Sequence, residues 1–79
     1  MQYTRYFLEQ VRRKRSYLKD QWIRDAIKKP VCKVIQDDGR MRYWIFVKEL
    51  SKYIRVVTLA DGKTVHNAFP DRNFKKEDI

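Results

Sequence analysis

The chain has 79 residues, with 19 Lys and Arg against 10 Asp and Glu, a net charge of +9 and a pI near 9.9. That length supports one domain with a single layer of helices on a single sheet, and 43% hydrophobic residues with only two glycines and two prolines argue against disorder. One cysteine and one histidine rule out an internal disulfide and a four-ligand zinc site, while the positive charge favours a polyanion or an acidic protein as partner.

The first thirty residues read as two helices, expected at about 3–15 and 17–29. Tyr3, Phe7 and Val11 recur every four residues, with Tyr6 alongside, and the opposite face carries Arg5, Arg12, Arg13 and Arg15. Ser16 can cap the next helix or turn the chain. Leu18, Trp22, Ile23, Ala26 and Ile27 then repeat at helical spacing; Asp20 suits the positive end of that helix and Lys28 and Lys29 its negative end, and Pro30 stops it.

From Val31 the period changes to that of strands, expected at about 31–36, 41–47, 53–59 and 64–69. "VCKVIQ" is closed by "DDGR" and "YIRVVTL" by "ADGKT", both Asp-Gly turn signals, while "KELSK" makes a wider connection. Cys32 fits a half-buried strand residue. Short connections make the four strands an antiparallel meander. Pro70 ends it, and "DRNFKKEDI" reads as a short tail with loose last residues. The expected fold is therefore α+β, two N-terminal helices on one face of a four-stranded antiparallel sheet. No apolar run reaches membrane-spanning length and "MQYTRYFLEQ" lacks a signal peptide's apolar core, so a cytoplasmic protein is expected.

Alternation along the strands sorts the side chains. Turning Tyr43, Ile45, Val47, Ile54 and Val56 toward the helices leaves Arg42, Trp44, Tyr53 and Arg55 on the other face and keeps two arginines out of the core. On the last strand the same choice turns Val65, Asn67 and Phe69 inward and His66 outward. The opposite register would bury Trp44 and Phe46 instead. In the chosen register Arg42, Arg55 and His66 share an uncovered face with aromatic rings, and Arg72 and Lys75 can fold back over its edge. Arginine binds phosphate through paired hydrogen bonds and rings stack on unpaired bases, so this face is a candidate surface for single-stranded RNA.

The segments Gly-Arg-x-Arg-x-Trp at 39–44, Lys-Tyr-x-Arg-Val-Val at 52–57 and Asp-Gly-x-Thr-Val-His-Asn-Ala-Phe at 61–69 look like those of a group of small bacterial and phage proteins. With two helices followed by a four-stranded meander, the chain resembles the RelE/BrnT-like toxin superfamily. The resemblance implies a toxin of a toxin–antitoxin pair, an endoribonuclease that cleaves RNA without metal or cofactor and is neutralised by an acidic antitoxin protein. The ribose 2′-hydroxyl would attack the neighbouring phosphate, which needs a base, an acid and fixed positive charge. On that reading His66 is the acid or base, Arg42 and Arg55 stabilise charge, Tyr53 stacks or transfers a proton, Arg72 and Lys75 hold phosphate, and Trp44 offers a stacking ring. A single histidine excludes a two-imidazole mechanism, and cationic neighbours should hold its pKa below about 6.5, favouring a base.

Each residue also has a structural reading. His66 can simply bond Asp71 or Asp61, and Arg42 and Arg55 can pair with Asp37, Asp38 or Glu49. The run Arg12, Arg13, Lys14, Arg15 can be a solvated helix end or can track a nucleic-acid backbone. Three functions stay open: an RNA-cleaving toxin, a non-catalytic nucleic-acid-binding module, and a protein-interaction domain for an acidic partner.

Overall fold

The computed structural model describes residues 1–78. It is α+β, but the sheet has five strands rather than four and is mixed rather than antiparallel throughout. Strands β1 (Gln2–Tyr3), β2 (Cys32–Ile35), β3 (Met41–Val47), β4 (Lys52–Thr58) and β5 (Thr64–Pro70) lie in the order β1-β5-β4-β3-β2. β2 to β5 form the expected meander; β1 adds a short parallel pairing, Gln2 with Thr64 and Tyr3 with Val65. Tyr3 therefore belongs to a strand, although it shares the helical spacing of Phe7 and Val11.

Helix α1 covers residues 5–14 rather than 3–15, and its middle, Phe7–Val11, is a wider π-helical turn in which the Arg12 amide donates to the Phe7 carbonyl. Thr4 starts this helix: its hydroxyl oxygen accepts from the Phe7 amide at 3.1 Å, satisfying a donor that has no partner within the helix. Helix α2 (Asp20–Lys28) begins three residues later than expected, because residues 15–18 form a turn in which the Leu18 amide donates to the Arg15 carbonyl. Ser16 lies in that turn and caps nothing. The helix ends before Pro30, as expected of a residue that cannot continue one.

Both helices cover one face of the sheet. Phe7, Val11, Leu18, Trp22, Ile23 and Ala26 pack against Tyr43, Ile45, Val47, Ile54, Val56, Val65 and Ala68. On β3 and β4 this is the expected register. On β5 it holds for Val65 but fails beyond it: Ala68 is the next inward residue, and Asn67 and Phe69 lie on the opposite face, beside Val57 and Arg55. The cause is a bulge. Thr58 pairs with Val65 and Val57 with Asn67, so His66 is an extra residue and the alternation reverses after it.

The turns follow their sequences. Gly39 and Gly62 both have positive φ, at 89° and 69°. Ser51 has a φ of 53° in the β3–β4 connection, where nothing in the sequence signals it. The tail departs from expectation. Residues 71–78 fold back over the face opposite the helices and end in a short 3-10 turn, Lys76–Asp78, while Ile79 lies outside the described residues.

Candidate nucleic-acid interface

The face opposite the helices collects Cys32, Val34, Arg42, Trp44, Phe46, Tyr53, Arg55, Val57, Asn67 and Phe69, since residues paired directly across neighbouring strands point the same way. The candidate residues fall into three regions, one beneath the tail, one at its edge and one at the β5 bulge.

The first lies beneath the tail. Trp44 is buried there, stacked on Phe74 with ring centroids 4.9 Å apart and planes 16° from parallel. Its indole N–H donates to Asp71 Oδ2 at 3.0 Å. Arg55 lies 3.3 Å from the same carboxylate oxygen and packs its guanidinium over Phe69 at 4.6 Å. The ion pair is close but off the hydrogen-bond direction, so the buried Arg55 Nε has no hydrogen-bond partner among the described residues. Burial alone would raise the Asp71 pKa, yet the indole N–H, the Asn73 amide, Arg55 and the Phe74 amide together hold it below the usual carboxylate value. Arg55 thus pairs with Asp71, not with Asp37, Asp38 or Glu49.

The second region is an aromatic groove at the tail's edge. Phe46 is 50% exposed and meets Tyr53 edge-on at 5.2 Å; Tyr53 in turn meets Phe74 edge-on at 4.9 Å. Phe46, Tyr53 and Phe74, with Ser51, Lys52, Arg72 and Asp71, line a depression of about 230 Å³, the Asp71 carboxylate being paired with Arg55. Lys52 and Arg72 are exposed and have no carboxylate within ion-pair distance among the described residues. Lys75 is exposed farther along the tail.

His66 marks the third region, at the bulge. Its Nδ1 is 3.1 Å from the Thr4 hydroxyl and its ring stacks on Tyr6 at 5.0 Å. Because Thr4 Oγ1 already accepts from the Phe7 amide, its own proton is free to point at Nδ1. Burial, then the charge of Arg40, lowers the imidazole pKa and so favours the neutral form of His66. It bonds neither Asp71 nor Asp61; the Asp61 carboxylate is taken by the Thr64 hydroxyl and the amides of Thr64 and Lys63, which hold its pKa at about 2. Arg42, half-buried between Val34 and Val57, has no ion-pair partner among the described residues.

Trp44, Tyr53 and Arg55 are therefore brought together under the tail, with Arg72 beside them. No hydrogen bond or ring contact links His66 to Arg42, Arg55 or Tyr53 among the described residues. In the basic run, Arg12 pairs with Asp20 at 2.7 Å and lies over the Tyr3 ring, Arg15 approaches Phe69 at 5.9 Å, and Arg13 is exposed. Sequence reasoning passed over Phe46 and Lys52, although strand parity puts Phe46 on the face of Trp44 and directly opposite Tyr53. It also passed over Thr4 and Phe74, and it named Asp71 only as a possible partner of His66 and Tyr6 only as a helix-stripe residue; the roles of all four arise from contacts between distant parts of the chain.

No group of His, Cys, Asp and Glu among the described residues is arranged to hold a metal ion, and no helix there is long and apolar enough to cross a membrane. No family model, curated protein or solved structure matches the chain, so nothing in these comparisons identifies a RelE/BrnT-like family.

Proposed function

We propose that the protein binds single-stranded RNA through the groove around Phe46, without needing to cleave it. The observation that carries this reading is an exposed aromatic ring flanked by two cations that no described carboxylate neutralises, Lys52 and Arg72. A ring offers every base a stacking surface, worth about 1–3 kcal/mol per base, and the cations meet the phosphates on either side. The net charge of +9 adds long-range attraction for the strand.

The test is fluorescence anisotropy of a labelled RNA oligonucleotide at increasing salt. Binding should weaken steeply with salt, and Phe46→Ala should weaken it about fivefold or more at every salt concentration. Salt-insensitive binding, or binding indifferent to Phe46, would refute the proposal.

Metal-independent cleavage, as in a toxin neutralised by an acidic antitoxin, is the second reading. What favours it is the imidazole of His66, whose lowered pKa favours the form that can act as a base, held at the bulge by Thr4 and Tyr6. Cyclic-phosphate ends formed in EDTA, and abolished in His66→Gln, would select it over binding alone.

A further inference from the structure

The tail covers the binding face in a particular way. Asp71 belongs to the end of the sheet, because its amide donates to the Tyr53 carbonyl at 2.9 Å. Beyond it, the amides of Asn73 and Phe74 donate back to Asp71, and those of Lys75 and Asp78 donate to Asp78 and Lys75. A weak thiol contact, Cys32 Sγ to the Asp78 carbonyl at 4.0 Å, is the one hydrogen bond from residues 72–78 to the strands among the described residues. What holds this segment down is the Phe74 ring, stacked on Trp44 and met edge-on by Tyr53.

Those contacts are the ones an RNA nucleotide would make. A planar ring lies nearly parallel to an indole, bordered by a tyrosine edge, and a carboxylate oxygen meets a guanidinium 3.3 Å away. The fit at the guanidinium is incomplete, since Arg55 Nε points at no acceptor. A carboxylate offers two oxygens in one plane, whereas a phosphate offers acceptors in several directions to a guanidinium fork.

Resting on the RNA-binding reading above, we infer that Trp44, Tyr53 and Arg55 form a second nucleotide subsite that the chain's own tail occupies, Phe74 standing in for an unpaired base and Asp71 for a phosphate oxygen. A strand seated at Phe46 reaches this subsite by displacing residues 73–78 and turning the Asp71 side chain off Arg55, while the Asp71 amide stays on Tyr53; its base then takes the place of Phe74 on Trp44 and its phosphate that of the carboxylate. Arg72, Lys75 and Lys76 then flank the strand instead of lying over the sheet. The tail is thus a competitor of the RNA, and it lowers affinity while it is docked.

The experiment compares the wild-type chain with Phe74→Ala, both full length, for binding of a short uridine oligonucleotide at low salt. Circular dichroism of the variant checks its fold. Removing the competing ring should tighten binding about fivefold or more, the range of one stacked base. In a Trp22→Phe background the oligonucleotide should quench Trp44 emission. On the wild type, amide exchange at residues 73–78 should speed up when RNA binds. If neither protein binds the oligonucleotide, the RNA-binding reading fails and takes this subsite with it. If the wild type binds and folded Phe74→Ala binds no tighter, the subsite alone is overturned. Should Phe74→Ala not fold, exchange in the wild type decides: unchanged or slower exchange at 73–78 on binding overturns the inference.

Discussion

Asp71, the residue after β5, ties the end of the β-meander back to its two middle strands: its single carboxylate accepts from the Trp44 indole on β3 and pairs with Arg55 on β4. It is one of two buried polar or charged residues among those described, and its neighbours on that face are aromatic. The tail therefore builds a second, smaller core opposite the helices, closed by Phe74 and centred on an ion pair. A charge placed there is stable only with its partners present.

Replacing Asp71 with Ala should destabilise the protein by about 2–4 kcal/mol, because the buried Trp44 N–H loses its acceptor and the largely covered Arg55 guanidinium loses its counter-charge. Urea unfolding at neutral pH measures this directly. The acid limb follows from the same contacts. The folded-state pKa of Asp71 is depressed, so its stabilisation is fully present above the unfolded-state value near 4 and is lost as pH falls through the folded value. Asp71→Asn should lack that portion of the acid loss.

His66 gives a separate pH dependence between neutrality and mild acid. Its folded pKa is lowered, so the unfolded chain takes up the proton first as pH drops. Above the unfolded-state value of about 6.5 both states are neutral and the group contributes nothing; below it stability declines until the folded-state imidazole also protonates. Wild-type stability should therefore fall from pH 7 to pH 5, and His66→Gln should show a flatter profile in thermal melts over that interval.

Ser51 sits in the left-handed region with a φ of 53°, where a Cβ is strained by roughly 1 kcal/mol. Ser51→Gly should stabilise the chain by about 0.5 kcal/mol, the relief being partly offset by the greater freedom of glycine in the unfolded state. A rise in the urea midpoint with an unchanged slope would show it.

Not all arginines should matter equally to nucleic acid. Arg12 is engaged by Asp20 and by the rings of Tyr3 and Phe7, whereas Arg72, beside Phe46, has no ion-pair partner among the described residues. Arg72→Ala should reduce the slope of log affinity against log salt by about 0.7, the loss of one phosphate contact on a single strand. Arg12→Ala should leave that slope unchanged and instead lower thermal stability. Equal salt slopes for Arg72→Ala and wild type would place the phosphate path elsewhere.

Local pattern was enough to read the two helices, the four long strands, both Asp-Gly turns and the facing of β3 and β4 from the sequence. Each depends on neighbours a few residues apart: helical spacing from Leu18 to Ile27, alternation from Arg42 to Val47, a glycine where φ must be positive. Tertiary structure decided the rest. Two residues at the N-terminus became a strand only because β5 offered them an edge, and a bulge at His66 reversed the alternation that would have turned Phe69 inward. The tail's "DRNF" reads as a polar turn, yet a buried carboxylate and a stacked ring are what it supplies. Those roles depend on Trp44 and Arg55, 27 and 16 residues earlier in the chain, and contacts at that separation leave no periodic trace in the sequence.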